Sequence, residues 1–435
     1  MKWPDSTRPD ARWLRLRRAC LCVAVLLSAP ALVAAGPFAI SLTGGKTDQE
    51  NVVVRVPVPA GDPVAFNVVE LPGGGTVPAQ VTAAALTDDP AVKQYLVFVL
   101  PKLKAGETLT LRPSAVNYFV APPHFSFVEK PGEPVELVYG GVDRKRPVLQ
   151  YFNLPHDPKD HYHTFKPFHN VYDPASGQVM LTNTSAKTPK DGLYPHHRGL
   201  FFGFNRIGYG EKQAADTWHG TNNVFTTHEK MLATEAGEVL GRHRAAIGWY
   251  GPDGQAFAAE EREVTAYAVP GVTGTLIDWS TVLSTKRPRV RLDGDPQHAG
   301  FHFRANQEVS NNGKANTYYL RPDGKGRPGE TRNWDAKGAD KRTINLPWNA
   351  MSFVVAGKRY TVLRLNHPDN PGETRGSERD YGRFGDYFEY DLTPEKPLKL
   401  RYRLWVQEGE MTVEQCARMA AAFVTPPVTR VVAPK

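Results

Sequence analysis

What most constrains the fold of this chain is a long succession of short strand-like runs with almost nothing helical between them. In the first hundred or so residues "NVVVRVPVPA", "PVAFNVVELP", "QYLVFVLPKL" and "TLTLRPS" alternate apolar and polar residues or run as β-branched stretches, with Gly-Asp, Gly-Gly-Gly and Ala-Gly-Glu turns between them. The pattern resumes with "VELVYGG", "VLQYFNL", "GLFFGFN", "GTLIDWSTVLS", "GFHFRANQEV", "MSFVVAGKRYTVLRLN" and "LKLRYRLWVQEG". One segment reads persuasively as a helix, "MTVEQCARMAAAF". There Thr412 and Gln415 form a capping-box pattern and Pro426-Pro427 closes the segment. The expected class is all-β: a small N-terminal β-sandwich, then a larger body of two big sheets face to face, with one C-terminal helix.

A chain of 435 residues exceeds the size at which one core usually stops growing, so more than one domain is expected. Residues 1–35 read as an export signal. Arg12, Arg15, Arg17 and Arg18 precede an apolar run from Ala19 to Leu27, and Val33-Ala34-Ala35 offers a cleavage site before Gly36. That run is too short to span a bilayer, and no later stretch approaches span length without charges, so no membrane insertion is expected. The expected location is periplasmic or secreted. The expected boundaries are 36–127 for the N-terminal sandwich, with 115–127 as linker or crossover, 128–425 for the larger body and 426–435 for a tail. The signal carries six Lys/Arg and two Asp/Glu, so without it the formal charge falls from +8 to +4. The remaining excess is dispersed, which argues against a nucleic-acid partner. Cys416, the one cysteine outside the signal, suits a small core residue on an apolar helix face.

The chemistry-bearing residues gather in the larger part. All thirteen histidines lie between 124 and 367. "LYPHHRGLFFGFN" sets His196, His197 and Arg198 against an aromatic strand, where desolvation must be offset by pairing or put to use. "LPHDPKDHYHTFKPFHNVYDPASG" holds His156, His161, His163 and His169. On a strand, His161 and His163 would share a face and, with Asp157 or Asp160, could ligate a divalent ion. No HExxH or cysteine-based spacing supports a metal, so hydrogen-bonded or solvated histidines are the expected reading and no cofactor is assigned. In "AGFHFRANQEV" alternation puts His302, Arg304, Asn306 and Glu308 on one face, either a wet outer face or the floor of a polar cleft. "LNHPDNPGETRGSERDYGRFGDYFEY" places His367, Asp369, Asn370, Arg379, Asp380 and Tyr381 in a glycine-rich loop region.

The segments "FHNVYDPASGQVMLTN", "YPHHRGLFFGFN", "LNHPDNPGETRGSERDYGRFG" and "LKLRYRLWVQEGEM" resemble, in that order, the signature segments of a family known as methane oxygenase PmoA-like. It is a domain of unknown function common in exported bacterial proteins. The likeness covers about 145 to 425, and His-His-Arg-Gly after a proline is its most specific element. His169 and the Asn/His/Pro turn at 366–370 come next. Two departures stand out: Asn170 replaces the Pro that often follows the family's first histidine, and "AADTWHG" only loosely matches its Asp-Phe-Trp segment, which leaves the roles of Asp216 and Trp218 open. The strand content is also similar to the galactose-mutarotase-like supersandwich, whose members include aldose epimerases and polysaccharide lyases.

These readings lead to an exported carbohydrate-active protein. The leading expectation is an enzyme of lyase or epimerase type, with His196 or His197 as general acid or base. Arg198 would hold substrate oxygen or stabilise developing negative charge, and His302 and Glu308 would form the opposite wall. His169, Arg304, His367, Asp369, Asn370, Arg379 and Tyr381 are the expected substrate-binding groups. The alternatives are a non-catalytic carbohydrate-binding or envelope protein, and, ranked lower, a metal-dependent oxidoreductase. The sequence leaves the oligomeric state open.

Overall fold

The structure is a computed structural model that describes residues 32–35, 38–58, 66–295, 297–334 and 340–433. Strands dominate it, as the alternation predicts. The N-terminal strands form an eight-stranded sheet in the order Val428–Val432, Ala39–Thr43, Thr108–Val116, Val68–Glu70, Thr76–Ala83, Gln94–Leu103 and Gln49–Pro57, with Leu32–Ala35 also paired to Thr108–Val116. It encloses a core of its own that includes Ile40, Val54, Phe66, Phe98 and Leu111. The residues read as a tail therefore supply a strand, Val428–Val432, to the first sheet. Of the expected export signal, residues 1–31 lie outside the described residues.

Two large sheets make the second body. One has nine strands, running from Phe225–Ala236 at one edge through Thr275–Ser284 and Leu398–Glu408 to Gly324–Lys325 at the other. The other has eight, in the order Arg375–Arg379, Arg383–Tyr387, Ala299–Arg304, Leu200–Phe204, Phe168–Val171, Lys145–Phe152, Val135–Gly140 and His124–Val128. The edge strand His124–Val128 comes from the segment read as linker or crossover. Aromatic rings interlock between the two sheets: Phe202 packs edge-on to Trp249 and Trp279, and Phe301 lies 4.4 Å from Trp279 and 4.6 Å from Tyr402, centroid to centroid. These contacts belong to the largest apolar core of the molecule.

Strand alternation gives the eight-stranded sheet a second face. Leu200, Phe202 and Phe204 point into the inter-sheet core, whereas Phe201 packs with Phe152, Phe168 and Trp218 on the opposite side. His302 and Arg304 alternate in the same way with Phe301 and Phe303, and both are wholly buried, because long loops cover this outer face.

Two local expectations are corrected. Strand geometry in "AGFHFRANQEV" stops at Arg304, and Gln307–Asn316 is a helix, in addition to the predicted C-terminal one. Asn306 caps it, its side chain accepting from the Glu308 N–H at 2.9 Å. The glycine-rich region after residue 366 is a turn followed by two strands at one edge of the eight-stranded sheet, Arg375–Arg379 and Arg383–Tyr387. Gly385 is required there because a Cβ would sit 2.4 Å from the His302 ring. The expected C-terminal helix, Val413–Val424, carries its reciprocal capping box and buries Cys416.

Candidate active site

The outer face of the eight-stranded sheet is where imidazoles converge. His197 is buried under the loop that precedes Leu200, and its Nε2 accepts from Trp218 Nε1 at 3.1 Å. Its proton therefore resides on Nδ1, which has no partner among the described residues. Burial, reinforced by neighbouring His196, Arg383 and Arg304, holds its pKa well below the usual histidine range. His302 donates from Nε2 to the Ala299 carbonyl at 2.9 Å and accepts at Nδ1 from Arg383 at 3.0 Å, which fixes it as neutral imidazole. His196 is half-buried, with its ring 4.2 Å from that of His197 and 4.6 Å from that of His219. Burial, then the adjacent His219, pushes its pKa down to about 2.

Two further histidines complete the opening, and neither was among the expected site residues. His219 holds Asp216 through Nδ1 at 2.8 Å, and Asp216 also accepts the His219 N–H at 2.8 Å. His298 holds Asp295 through Nδ1 at 2.7 and 2.9 Å; Asp295 also accepts from Gln297 N–H and from Asn205 Nδ2. Burial raises the Asp295 carboxyl, but the bonds from His298, Gln297 and Asn205 outweigh it and hold the group well below the carboxylate range. The two rings lie 5.1 Å apart, centroid to centroid, and their side chains are 30% and 31% exposed. In each, Nδ1 is committed to a carboxylate and Nε2 has no partner among the described residues. That arrangement orients a general base and stabilises the imidazolium it becomes. Both dyads have the spacing Asp-x-x-His, in "DTWH" and "DPQH". The spacing was the available signal, but it also occurs in "DHYH" at 160–163, so short matches of this kind did not single out the two dyads. A cleft of about 540 Å³ borders the Asp216 carboxylate, with Asn205, the partner of Asp295, also in its wall.

Arg198 lies beside these rings but is sealed. It donates to the carbonyls of Pro195, His163 (3.0 Å) and Tyr162, and its guanidinium stacks on Phe165, 4.4 Å from the ring centroid. Its expected substrate contact is corrected to a role in pinning the one-turn helix His161–Thr164. Arg304 similarly donates to the Leu193 and Tyr381 carbonyls and lies under the Tyr381 ring. Tyr381 does reach the opening: its ring is parallel to His197 and 5.0 Å from Tyr194, and its hydroxyl accepts from Arg383 Nε at 3.2 Å. Arg379 stays near by, donating to the Glu378 carbonyl.

The remaining expected residues are elsewhere. Glu308 sits in the first turn of the helix Gln307–Asn316 and accepts from the Ala356 N–H, so it forms no wall opposite the imidazoles. His169 points into the inter-sheet core, where its Nε2 meets His243 Nε2 at 3.0 Å and its ring stacks on Tyr151. His367, Asp369 and Asn370 form a turn beside Arg401. Asn370 clasps the Arg401 backbone with two bonds of 2.8 Å, Asp369 pairs with the Arg401 guanidinium, and His367 packs on Phe423 of the C-terminal helix.

The histidines considered for a metal are engaged with protein groups. His161 bonds His156 through Nδ1 at 2.9 Å and the Gly220 carbonyl through Nε2 at 2.6 Å, and His163 meets the Ser185 hydroxyl. Among the described residues, no three His, Cys, Asp or Glu side chains are grouped so as to hold a metal ion.

Residues 135–421 match the model of a family of unknown function, DUF6807. The chain belongs to that family. Every imidazole and carboxylate of the opening lies inside the DUF6807 match. The segment resemblance thus holds as far as an uncharacterised family, and the match brings no methane oxygenase with it. No curated protein matches the chain. Among solved structures, an alpha-mannosidase from Enterococcus faecalis V583 is similar at 11% identity and a TM-score of 0.35, over 92% of this chain and 46% of that one. A protein in the glycosyl hydrolase family 38 from Enterococcus faecalis is similar at 11% identity and a TM-score of 0.31, over 92% and 47%. The chain spans about half the length of these two structures. Likeness at that level transfers no residue role.

Proposed function

We propose that this DUF6807 member is an exported carbohydrate-active enzyme that moves a proton on a sugar, in the manner of a lyase or epimerase. The observation that carries this reading is the pair of neighbouring dyads, His219–Asp216 and His298–Asp295, whose partly exposed rings lie 5.1 Å apart and whose Nε2 atoms have no partner among the described residues. One imidazole takes a proton from carbon or hydroxyl while the other returns one, and each carboxylate stabilises the charged form of its partner. Tyr194 and Tyr381 flank the opening and offer rings to the C–H faces of a sugar. His197 and Trp218 form the floor. Hydrolysis by a carboxylate pair fits less well, because both carboxylates are occupied as imidazole partners.

The test is turnover on a panel of neutral and acidic oligosaccharides by the full chain and by His219→Ala and His298→Ala. The expected result is a loss of roughly 10²–10⁴-fold in each variant, the usual contribution of a positioned acid or base. Because both rings are partly exposed, each variant should melt within a few degrees of the parent. Undiminished turnover in both variants would overturn the assignment. Sugar binding by the parent without turnover would establish the non-catalytic binding protein instead.

A further inference from the structure

Most buried guanidinium groups of this protein that lie away from the opening have a carboxylate. Arg262 is bonded to Glu260 at 2.7 Å, Arg321 to Glu378 at 2.5 Å and Arg364 to Asp386 at 2.6 Å, each pair almost wholly buried. That is the ordinary condition for charge inside a protein. The outer face beneath the two dyads breaks the rule. Lys166, Arg198, Arg304 and Arg383 are each at most 1% exposed, and none has a salt bridge among the described residues. Their partners are neutral: the Trp218 carbonyl for Lys166 at 2.5 Å, backbone carbonyls for Arg198, carbonyls and Gln307 for Arg304, and His302, Tyr381 and Ser377 for Arg383. The carboxylates nearest the opening, Asp216 and Asp295, are already taken by His219 and His298.

A second, independent observation points the same way. The buried polar atoms left without partners here include two donors, the Nδ1–H of His197 and the Nε–H of Arg304. An unmet buried donor costs about 1–3 kcal/mol unless something accepts from it. Buried basic groups without a salt-bridged carboxylate and unmet donors call for the same kind of guest.

We infer that the sugar taken by this site carries an anionic group, a carboxylate or a phosphate, whose charge completes the set of buried cations Lys166, Arg304 and Arg383. The inference rests on the carbohydrate reading above and narrows it to acidic sugars. Such a group would also sit beside the imidazoles, where positive charge favours the carbanion formed when a neighbouring C–H gives up its proton.

Calorimetric titration of the full chain with glucose, glucuronate, glucose 6-phosphate and malonate tests it. The expected result is that glucuronate or glucose 6-phosphate binds at least about tenfold more tightly than glucose, and the tighter of the two names the group. In Lys166→Met and Arg304→Met that preference should fall to about threefold or less. The lysine variant, which replaces an amine among aromatic rings with an apolar chain of similar length, keeps the test open if the arginine variant does not fold. Equal binding of glucose and its acids would overturn the inference and leave the sugar reading standing. Malonate binding with no sugar binding, or no binding at all, would overturn both. A preference that survives in both folded variants would show that these cations are not its source.

Discussion

Three consecutive residues, His196, His197 and Arg198, meet three different environments. His196 stays at the rim, His197 forms the floor under Trp218, and Arg198 is consumed by backbone carbonyls. The motif was legible as a place where ionisable groups meet an aromatic strand. The division of labour was not, because it depends on Trp218 and on residues 162–163, which the sequence brings no closer to it. Arg198→Met should therefore act on stability rather than on chemistry. It strands the Pro195 and Tyr162 carbonyls, the His163 carbonyl keeping the Ser185 hydroxyl, and a loss of about 2 kcal/mol or more in urea unfolding is expected; an unchanged midpoint would contradict the pinning role. Gly199, which follows, has φ of +51°, and a Cβ would lie 2.0 Å from the His169 carbonyl oxygen. Gly199→Ala should fail to fold or lose more than about 3 kcal/mol, measured by the yield and melting temperature of the purified variant.

At the scale of elements, alternation served wherever a strand has one face toward the inter-sheet core, as in Leu200–Phe204. It misled where the period continued past the strand. Asn306 and Glu308 fit the pattern of "FHFRANQE" on paper, but Asn306 is an N-cap and Glu308 is the acidic residue of the first helical turn. The strands Arg375–Arg379 and Arg383–Tyr387 were hidden by their glycines and charges. The two carboxylates among those charges are in fact buried and paired, Glu378 with Arg321 and Asp386 with Arg364. The C-terminal helix was legible because its capping box is local, with Thr412 and Gln415 bonding each other's backbone N–H at 3.1 and 2.9 Å. Thr412→Ala should cost about 1 kcal/mol. Chemical denaturation would read this as a shift in midpoint at unchanged slope, and no shift would mean that packing against the first sheet carries the helix end.

Across the whole molecule, burial of histidine sets the response to acid. His169, His197, His243 and His302 are almost fully buried, and desolvation is the main cause that holds each below the usual value of 6.5, His243 at about 3. The folded state keeps them neutral while the unfolded chain protonates them below that value. Their contribution to stability is thus fully present well above pH 6.5 and is lost as pH falls. Each group can cost up to about 1.4 kcal/mol per pH unit in that window. Unfolding free energies at pH 7.5, 6.5 and 5.5 should fall by about 1–2 kcal/mol across the first interval, where the unfolded imidazoles become half protonated, and by about 4 kcal/mol across the second. A flat profile to pH 5.5 would mean that these imidazoles take up protons within the fold.

The central claim is that the two Asp-x-x-His dyads move a proton on a sugar. Its most direct measurement is proton NMR of neutral and acidic sugars incubated with the full chain in deuterated water. The account predicts that one ring C–H signal of an acidic sugar fades as deuterium enters from solvent, and that the fading stops in His219→Ala or His298→Ala. Signals that persist in every sugar, or that fade equally with both variants, would contradict it.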